Sequence, residues 1–356
     1  MQIITNDARE HKYMQLSSYF NPDDVVLFDI ETTGFAAEAT SLYLIGCCYY
    51  HHGKWIITQW FNDDGNSEEE IIHCFMNFIK NYKFLIHYNG DGFDIPYITK
   101  KLDMYKLDYT FNSIESIDIY KQIKSFKDVL HLDNFKQKTI EKFLGINRLD
   151  KYSGGDLIKV YNDYLKENTD SGRQLLLQHN YEDLEGLVYC SSLLAYTKLK
   201  AGCFVVKKMS VRDNRLLFSL TLDYSLPKRI TLGVNGIIIT AYQKEATINV
   251  PIVSEELKFF FDNYKEYYYL PAEDMAVHKS VATYVDKNYR EPAKKDTCYL
   301  RRNGHFISQL NSGILCGYKH NYKDKESFIE LADSFLQDLD MLHAYARHVV
   351  YHAISD

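Results

Sequence analysis

The chain has 356 residues, more than one ordinary core accommodates, so about two domains are expected. Its apolar fraction of 46% and charged fraction of 25% are those of a globular protein, and no apolar run reaches the roughly 18 residues a membrane span needs. The net charge of −7 excludes the uniformly basic character of a typical duplex-binding protein, and the acidic excess sits almost wholly before residue 200.

The opening stretch, MQIITNDAREHKYMQ, is polar and mixed in charge. It lacks the basic-then-apolar pattern of a secretory signal, so cytoplasmic residence is expected and residues 1–22 read as an N-terminal extension. A run rich in β-branched residues then follows Asn21-Pro22: Asp24 to Ile30 reads as a buried strand. Ser41 to His51 and Lys54 to Phe61 read as two more strands, with His52-Gly53 as a hairpin turn. Ser67 followed three residues later by Glu70 predicts a capping box opening a helix through Tyr82. Phe84 to Tyr88 reads as a fourth strand, and helical patterns dominate from about Asp94 to Lys200. This order suits an α/β sheet led by an antiparallel meander, a domain over 23–201.

Beyond Ala201-Gly202 the character changes. Strand-like runs start at Phe204, Arg215, Arg229, Ala246 and Lys265 and predict a mainly antiparallel β domain over 202–356. Apolar residues at Phe328, Leu331, Phe335, Leu339, Leu342, Ala346, Val349 and Val350 predict a closing amphipathic helix over 325–354. The seven cysteines form no CxxC pair and no zinc-finger spacing with histidine, so they read as reduced residues of an ordinary core.

Three short segments carry the chemistry. Asp29 and Glu31 are two apart on a strand, so both carboxylates face one side while Ile30 faces the other. Adjacent buried anions repel, and a strand rarely tolerates this without cations. Gly34 lets the chain turn tightly there. Next, Asn89-Gly90-Asp91-Gly92-Phe93-Asp94 follows an apolar strand, and Asp94 opens a helix with its carboxylate over the sheet edge. Alone, Asp94 would pass for a helix cap and Asp91 for a turn residue. Last, His179 and Asp183 are four apart in a helical stretch and so share one face.

A strand DxE, then NxxxFD after a strand, then HxxxD on a helix resembles the ordered signature of the DEDD 3′→5′ exonuclease superfamily, which has a ribonuclease-H-like fold. The resemblance implies that Asp29, Glu31, Asp94 and Asp183 hold two divalent ions, Mg²⁺ or Mn²⁺. It implies that His179 is the general base, and that Thr32, Gly34, Asn89, Phe93, Asp118 and Arg148 contact substrate. The HxxxD spacing is that of the tyrosine-type branch, yet the residue is histidine. This hybrid resembles the bacterial YprB-like ribonuclease-H-like proteins. So do Ser116 to Tyr120, Ile140 to Arg148 and Tyr152-Ser153-Gly154-Gly155. That group includes the exonuclease partner of the mitomycin-repair helicase, which implies a nucleic-acid substrate, DNA rather than RNA, and a role in DNA repair. An exoribonuclease of the same chemistry and a non-catalytic binding module are the competing readings; the intact acidic set weighs against the module. Lysines from Lys121 to Lys151 read as phosphate contacts or a solvated helix surface. In the β domain, Tyr267-Tyr268-Tyr269, His278-Lys279 and Arg301-Arg302 read either as core or as a clamp for a single strand. The domain as a whole is expected to hold substrate or a helicase-like partner.

Overall fold

The β-branched run after Asn21-Pro22 forms the middle of a six-stranded sheet in the computed structural model, which describes every residue except Tyr13, Asn311, Ser312, Cys316 and Asp356. The strands are β1 (Gln2–Asp7), β2 (Val25–Thr32), β3 (Leu42–His51), β4 (Lys54–Phe61), β5 (Phe84–His87) and β6 (Glu115–Asp118). They lie in the order β1-β4-β3-β2-β5-β6. The first four pair antiparallel, whereas β2–β5 and β5–β6 are parallel. The β3–β4 hairpin turns through His52 and Gly53, both with positive φ, at 47° and 86°.

Alternation on β2 sorts its side chains between two layers. Val26, Phe28 and Ile30 pack with Ile71, Phe75 and Ile98 from α1 (Glu68–Ile79) and α2 (Asp94–Tyr105). After the short helices α3 (Ile119–Ile123) and α4 (Lys127–Leu130) come α5 (Gln137–Leu144), α6 (Gly154–Glu167), α7 (Asp170–Cys190) and α8 (Leu194–Lys200). On the opposite face Tyr43, Leu44 and Phe61 pack with Leu157, Tyr161 and Tyr164 of α6 and Leu176 of α7. Asp29 and Glu31 belong to this second face, on a strand whose other alternate positions are apolar. The chain divides into two compact units, Met1–Thr197 and Lys198–Asp356.

Several expectations are corrected. Gln2–Asp7, read as part of an extension, is an edge strand registered from Gln2↔Phe61 to Asp7↔Ile56. Its polar, half-exposed face gives it little sequence signature. Glu115–Asp118 lies in the stretch read as helical but pairs with β5 from Phe84↔Glu115 to His87↔Asp118, so tertiary pairing overrides local pattern. The capping box at Ser67 does not form. Helix α1 starts there, but the Ser67 hydroxyl donates to Asp64 Oδ1 at 2.8 Å.

In the second unit, β7 (Phe204–Arg212), β8 (Arg215–Val234) and β9 (Ile237–Phe260) are antiparallel. Runs read as separate strands fuse here: β8 joins those starting at Arg215 and Arg229, and the Asn235-Gly236 turn splits the latter between β8 and β9. A small sheet of β10 (Tyr267–Leu270), β11 (Met275–His278) and, after α9 (Lys279–Ala282), β12 (Glu291–Pro292) follows. Next come β13 (Tyr299–Ser308) and β14 (Phe328–Glu330), which complete a five-stranded sheet ordered β14-β13-β9-β8-β7. The helix expected over 325–354 is thus three elements: β14, α10 (Asp333–Leu336) and α11 (Leu339–Ser355). Helix α11 buries Leu342, Tyr345, Ala346, Val349 and Val350, as the apolar stripe requires. Among the described residues, six cysteines are free thiols, and no helix is long and apolar enough to cross a membrane. Cys316 lies outside the described residues.

Candidate metal and nuclease centre

Helix α7 sits close on β3 because Gly46 leaves room for it. A Cβ there would collide with Asn180 Oδ1 and lie 2.6 Å from Leu184 Cδ1. Gly46 is directly opposite Asp29 in the β2–β3 register. The close approach lets Asn180 Nδ2 donate to Asp29 Oδ2 at 2.9 Å, while Gln59 Nε2 donates to Asn180 Oδ1 at 2.9 Å. One residue earlier and three later on the same helix, His179 and Asp183 face Glu31. His179 Nε2 is 3.1 Å from Asp183 Oδ2 and 3.6 Å from Glu31 Oε1. Glu31, His179 and Asp183 each offer a ligand atom within 4.8 Å of the other two. Asp94 arrives from the first turn of α2, where the Ile30 amide donates to its Oδ1 at 3.3 Å.

The electrostatics show that these acids share one space. Burial is the largest influence on Asp29 and raises its pKa well above the usual carboxylate range; Asp183, Glu31 and Asp94 push it further, in that order. Burial and then Asp183 do the same to Glu31, against a hydrogen bond from the Tyr43 hydroxyl at 3.3 Å. Asp94 is pushed up to about 7, first by burial and then by Asp118 and Asp183, despite its backbone hydrogen bonds. Asp29, Glu31 and Asp94, each raised by burial and by neighbouring carboxylates, lack positive charge, and oxygen donors of this kind suit a hard divalent cation. The residues present therefore fit such an ion.

One cation does reach the cluster from the protein. Arg148, expected to contact substrate, is instead almost fully buried between Glu141 and Asp183. Its Nη1 is 2.5 Å from Asp183 Oδ1, and its other nitrogens bind Glu141. Gly186 on α7 makes space for this pair, since a Cβ there would strike Glu141 Oε1. Two residues on, Asp150 Oδ2 meets His179 Nδ1 at 2.6 Å. Burial alone would raise the Asp150 pKa. Hydrogen bonds from the Tyr152 amide, His179 and Lys138 hold it below the ordinary value.

Asp150, Asn180, Tyr43 and Glu141 were not singled out from sequence. Asn180 adjoins His179, and Asp150 follows Arg148 at extended-chain spacing; these were the available signals. Of the other expected substrate residues, Thr32 and Gly34 lie at the end of β2, where the Thr32 hydroxyl donates to Gly34 O at 2.8 Å. Asn89, exposed with φ 60°, and Phe93 lie in the loop after β5. Phe93 meets Phe35 edge-on at 5.8 Å, and Phe35 is 90% exposed. Asp118 caps α3, and its Oδ1 accepts from the Asn89 and Lys121 amides at 3.0 and 3.2 Å. Asp91 is a paired loop residue, bound by Lys121 Nζ at 2.8 Å and Ser116 Oγ at 2.5 Å.

The suggested clamp in the second unit is taken up internally. Tyr267 stacks on Phe261 at 4.7 Å, and Tyr269 donates to Asp274 Oδ1 at 2.6 Å. Arg302 pairs with Glu330 at 2.9 Å and Arg301 with Glu256 at 3.3 Å.

A family model described as RNase_H superfamily matches residues 26–194. The chain is similar to the DNA polymerase of Autographa californica nuclear polyhedrosis virus, 27% identical over 167 residues that cover 37% of this chain and 17% of that protein. It is also similar to DNA polymerase 1 of Aeropyrum pernix, 28% identical over 160 residues covering 44% and 15% respectively. The match therefore spans less than a fifth of either relative. Among solved structures, the family B DNA polymerase from Pyrobaculum calidifontis aligns with a TM-score of 0.40 and 12% identity, covering 68% of this chain and 35% of that one.

Proposed function

We propose that the chain, whose residues 26–194 match the RNase H superfamily model, is a metal-dependent 3′→5′ exonuclease of the DEDD type, hydrolysing phosphodiester bonds of nucleic acid, DNA in preference to RNA. The observation that carries this reading is the convergence of Asp29, Glu31, Asp94 and Asp183 from three separate stretches of the sequence into one largely buried acidic cluster beside His179. Polarity and the two-ion requirement come from the resemblance of the three motifs to the DEDD superfamily. The preference for DNA is drawn from the DNA polymerases that the chain resembles. The His179 spacing and the middle segments further ally the chain with YprB-like proteins and a role in repair.

In this mechanism the four carboxylates would hold two ions, Mg²⁺ or Mn²⁺. Bound divalent ions supply Lewis-acid stabilisation of the charge that develops on the phosphate and the departing 3′ oxygen. His179 Nε2 takes the proton of the attacking water, imidazole being the side chain whose proton affinity suits neutral pH. Asn180 and Tyr43 orient Asp29 and Glu31 by donating to them.

The second unit is assigned a binding surface for single-stranded nucleic acid. Tyr284 and Tyr289 are 91% and 66% exposed, on a segment where Lys279, Lys287, Arg290, Lys294 and Lys295 outnumber Asp286 and Glu291. Exposed aromatic faces among cations stack bases and attract phosphates. A Tyr284→Ala/Tyr289→Ala double variant should bind single-stranded oligonucleotide more weakly. Unchanged affinity, with a helicase-like protein lost on co-purification, would assign the unit to a protein partner.

The deciding experiment uses end-labelled single- and double-stranded DNA and RNA of one sequence, with Mg²⁺ or Mn²⁺ against EDTA, beside Asp29→Ala. A 5′ label should give a descending ladder with metal only, and a closed circle should survive. Cleavage that persists in both EDTA and Asp29→Ala, or no cleavage with any substrate, discards the proposal.

A further inference from the structure

The segment between α5 and α6 has no regular structure, yet it is fastened along α7 residue by residue. Arg148 binds Asp183, the Leu149 and Asp150 amides donate to Glu182 at 3.2 and 3.0 Å, and Asp150 Oδ2 meets His179 Nδ1 at 2.6 Å. Glu182 is itself held by Gln178 Nε2 at 2.7 Å. The Asp150 side chain is 2% exposed, and its Oδ1 accepts from the Tyr152 amide at 2.9 Å, so Oδ2 is aimed rather than free to rotate.

We propose that Asp150 is a positioning residue that fixes the proton of His179 on Nδ1 and turns the Nε2 lone pair toward Glu31 and Asp183. An ionised carboxylate only accepts, so Nδ1 must donate to it. In a ring that carries a single proton this leaves Nε2 as the acceptor; the Asp183 and Glu31 carboxylates beside Nε2 favour a second proton there, so the neutral ring is reached at higher pH or once cations take up those carboxylates. Lys138 Nζ, 3.2 Å from Asp150 Oδ2, supports the ionised form of Asp150. A purely structural ion pair between Lys138 and Asp150 would place no demand on the imidazole. This assignment rests on the reading of His179 as the base, and it is tested separately from that reading.

The test is nitrogen-15 NMR of the His179 ring in the metal-free full chain, followed upward to about pH 10 so that the tautomer is read in the neutral ring despite the carboxylates around it. The wild type should show the Nδ1–H tautomer. In Asp150→Asn the amide oxygen stays with the Tyr152 N–H and the NH₂ group faces Nδ1, which forces the Nε2–H tautomer. Where the nuclease reading holds, Asp150→Asn should lose about 100-fold or more in kcat, with KM little changed and the thermal midpoint retained. Asp150→Ala, which forces neither tautomer, should keep more activity than Asp150→Asn. A wild-type Nε2–H tautomer overturns the proposal, as does an unchanged tautomer in Asp150→Asn. An inactive wild type with the expected tautomer shift would instead remove the nuclease reading and leave the positioning role standing.

Discussion

Glu68 and Glu31 are both buried acids of the first unit, but their surroundings differ. Glu68 accepts from the Leu42 amide at 2.6 Å and the Tyr105 hydroxyl at 2.6 Å, and pairs with buried Lys101 at 2.9 Å. Lys101 also donates to Thr40 O, so the pair is satisfied on both sides. Glu31 has one protein hydroxyl at 3.3 Å and faces three further acids. A buried charge with both oxygens engaged by donors belongs to the architecture; one crowded by like charges is held for a cation from outside. The contrast separates structural from functional acidity within one fold, and substitutions at the two places should act in opposite directions.

The largest difference lies in activity. Asp183→Asn and Asp29→Asn should reduce nucleotide release from labelled DNA to background, and metal-free Asp29→Asn should melt no lower than wild type because removing an anion relieves repulsion, whereas Asp183→Asn also gives up the ion pair with Arg148. Retained hydrolysis with a lowered midpoint would reverse the assignment of the two sites. Lys101→Met should do the converse. It strands the Glu68 charge and should cost about 3–5 kcal/mol in denaturant melts. A cost below about 1 kcal/mol would mean that Glu68 is not a charged structural acid.

The acidic cluster should also make stability depend on pH. A carboxyl whose folded pKa is raised keeps its proton longer in the folded state, so stability falls as pH rises from the unfolded value toward the folded one. For Asp94 that window runs from about 4 to about 7, burial being the main cause. Metal-free protein should therefore lose about 1–3 kcal/mol across it, relative to Asp94→Asn. Saturating Mg²⁺ or Mn²⁺ should raise the wild-type melting midpoint, and raise that of Asp94→Asn less. Parallel pH profiles for the two proteins would show that Asp94 carries no strain.

Much of this centre was legible in sequence because its parts are local. Alternation put Asp29 and Glu31 on one face of β2, and four-residue spacing put His179 and Asp183 on one face of α7. What escaped was everything set by contacts across long separations. Arg148 reads as an exposed phosphate ligand until the fold closes α5 onto α7 and buries it beside Asp183, thirty-five residues on. Asp150 has no motif because an irregular segment takes its meaning only from what it lies against. The edge strands β1 and β6 were missed for the same reason: polar strands at a sheet margin carry little alternation, and only their register with β4 and β5 defines them.

The smallest effect gives the finest distinction between the two acids. Tyr105→Phe and Tyr43→Phe each delete one hydroxyl that donates to a buried glutamate, at 2.6 Å and 3.3 Å. Glu68 is in an ion pair with Lys101 at 2.9 Å, so loss of the Tyr105 donor should cost about 1.5–3 kcal/mol, the range for hydrogen bonds to charged groups. Glu31 can take up a proton instead, because burial and then its acidic neighbours already favour the neutral form. In the metal-free protein near neutral pH, Tyr43→Phe should therefore cost only about 0.5–1.5 kcal/mol. Saturating metal keeps Glu31 ionised and should widen the Tyr43→Phe penalty toward that of Tyr105→Phe, which should itself be indifferent to metal. Equal penalties in EDTA, or a metal effect confined to Tyr105→Phe, would show that the two glutamates are not distinguished by the charge around them.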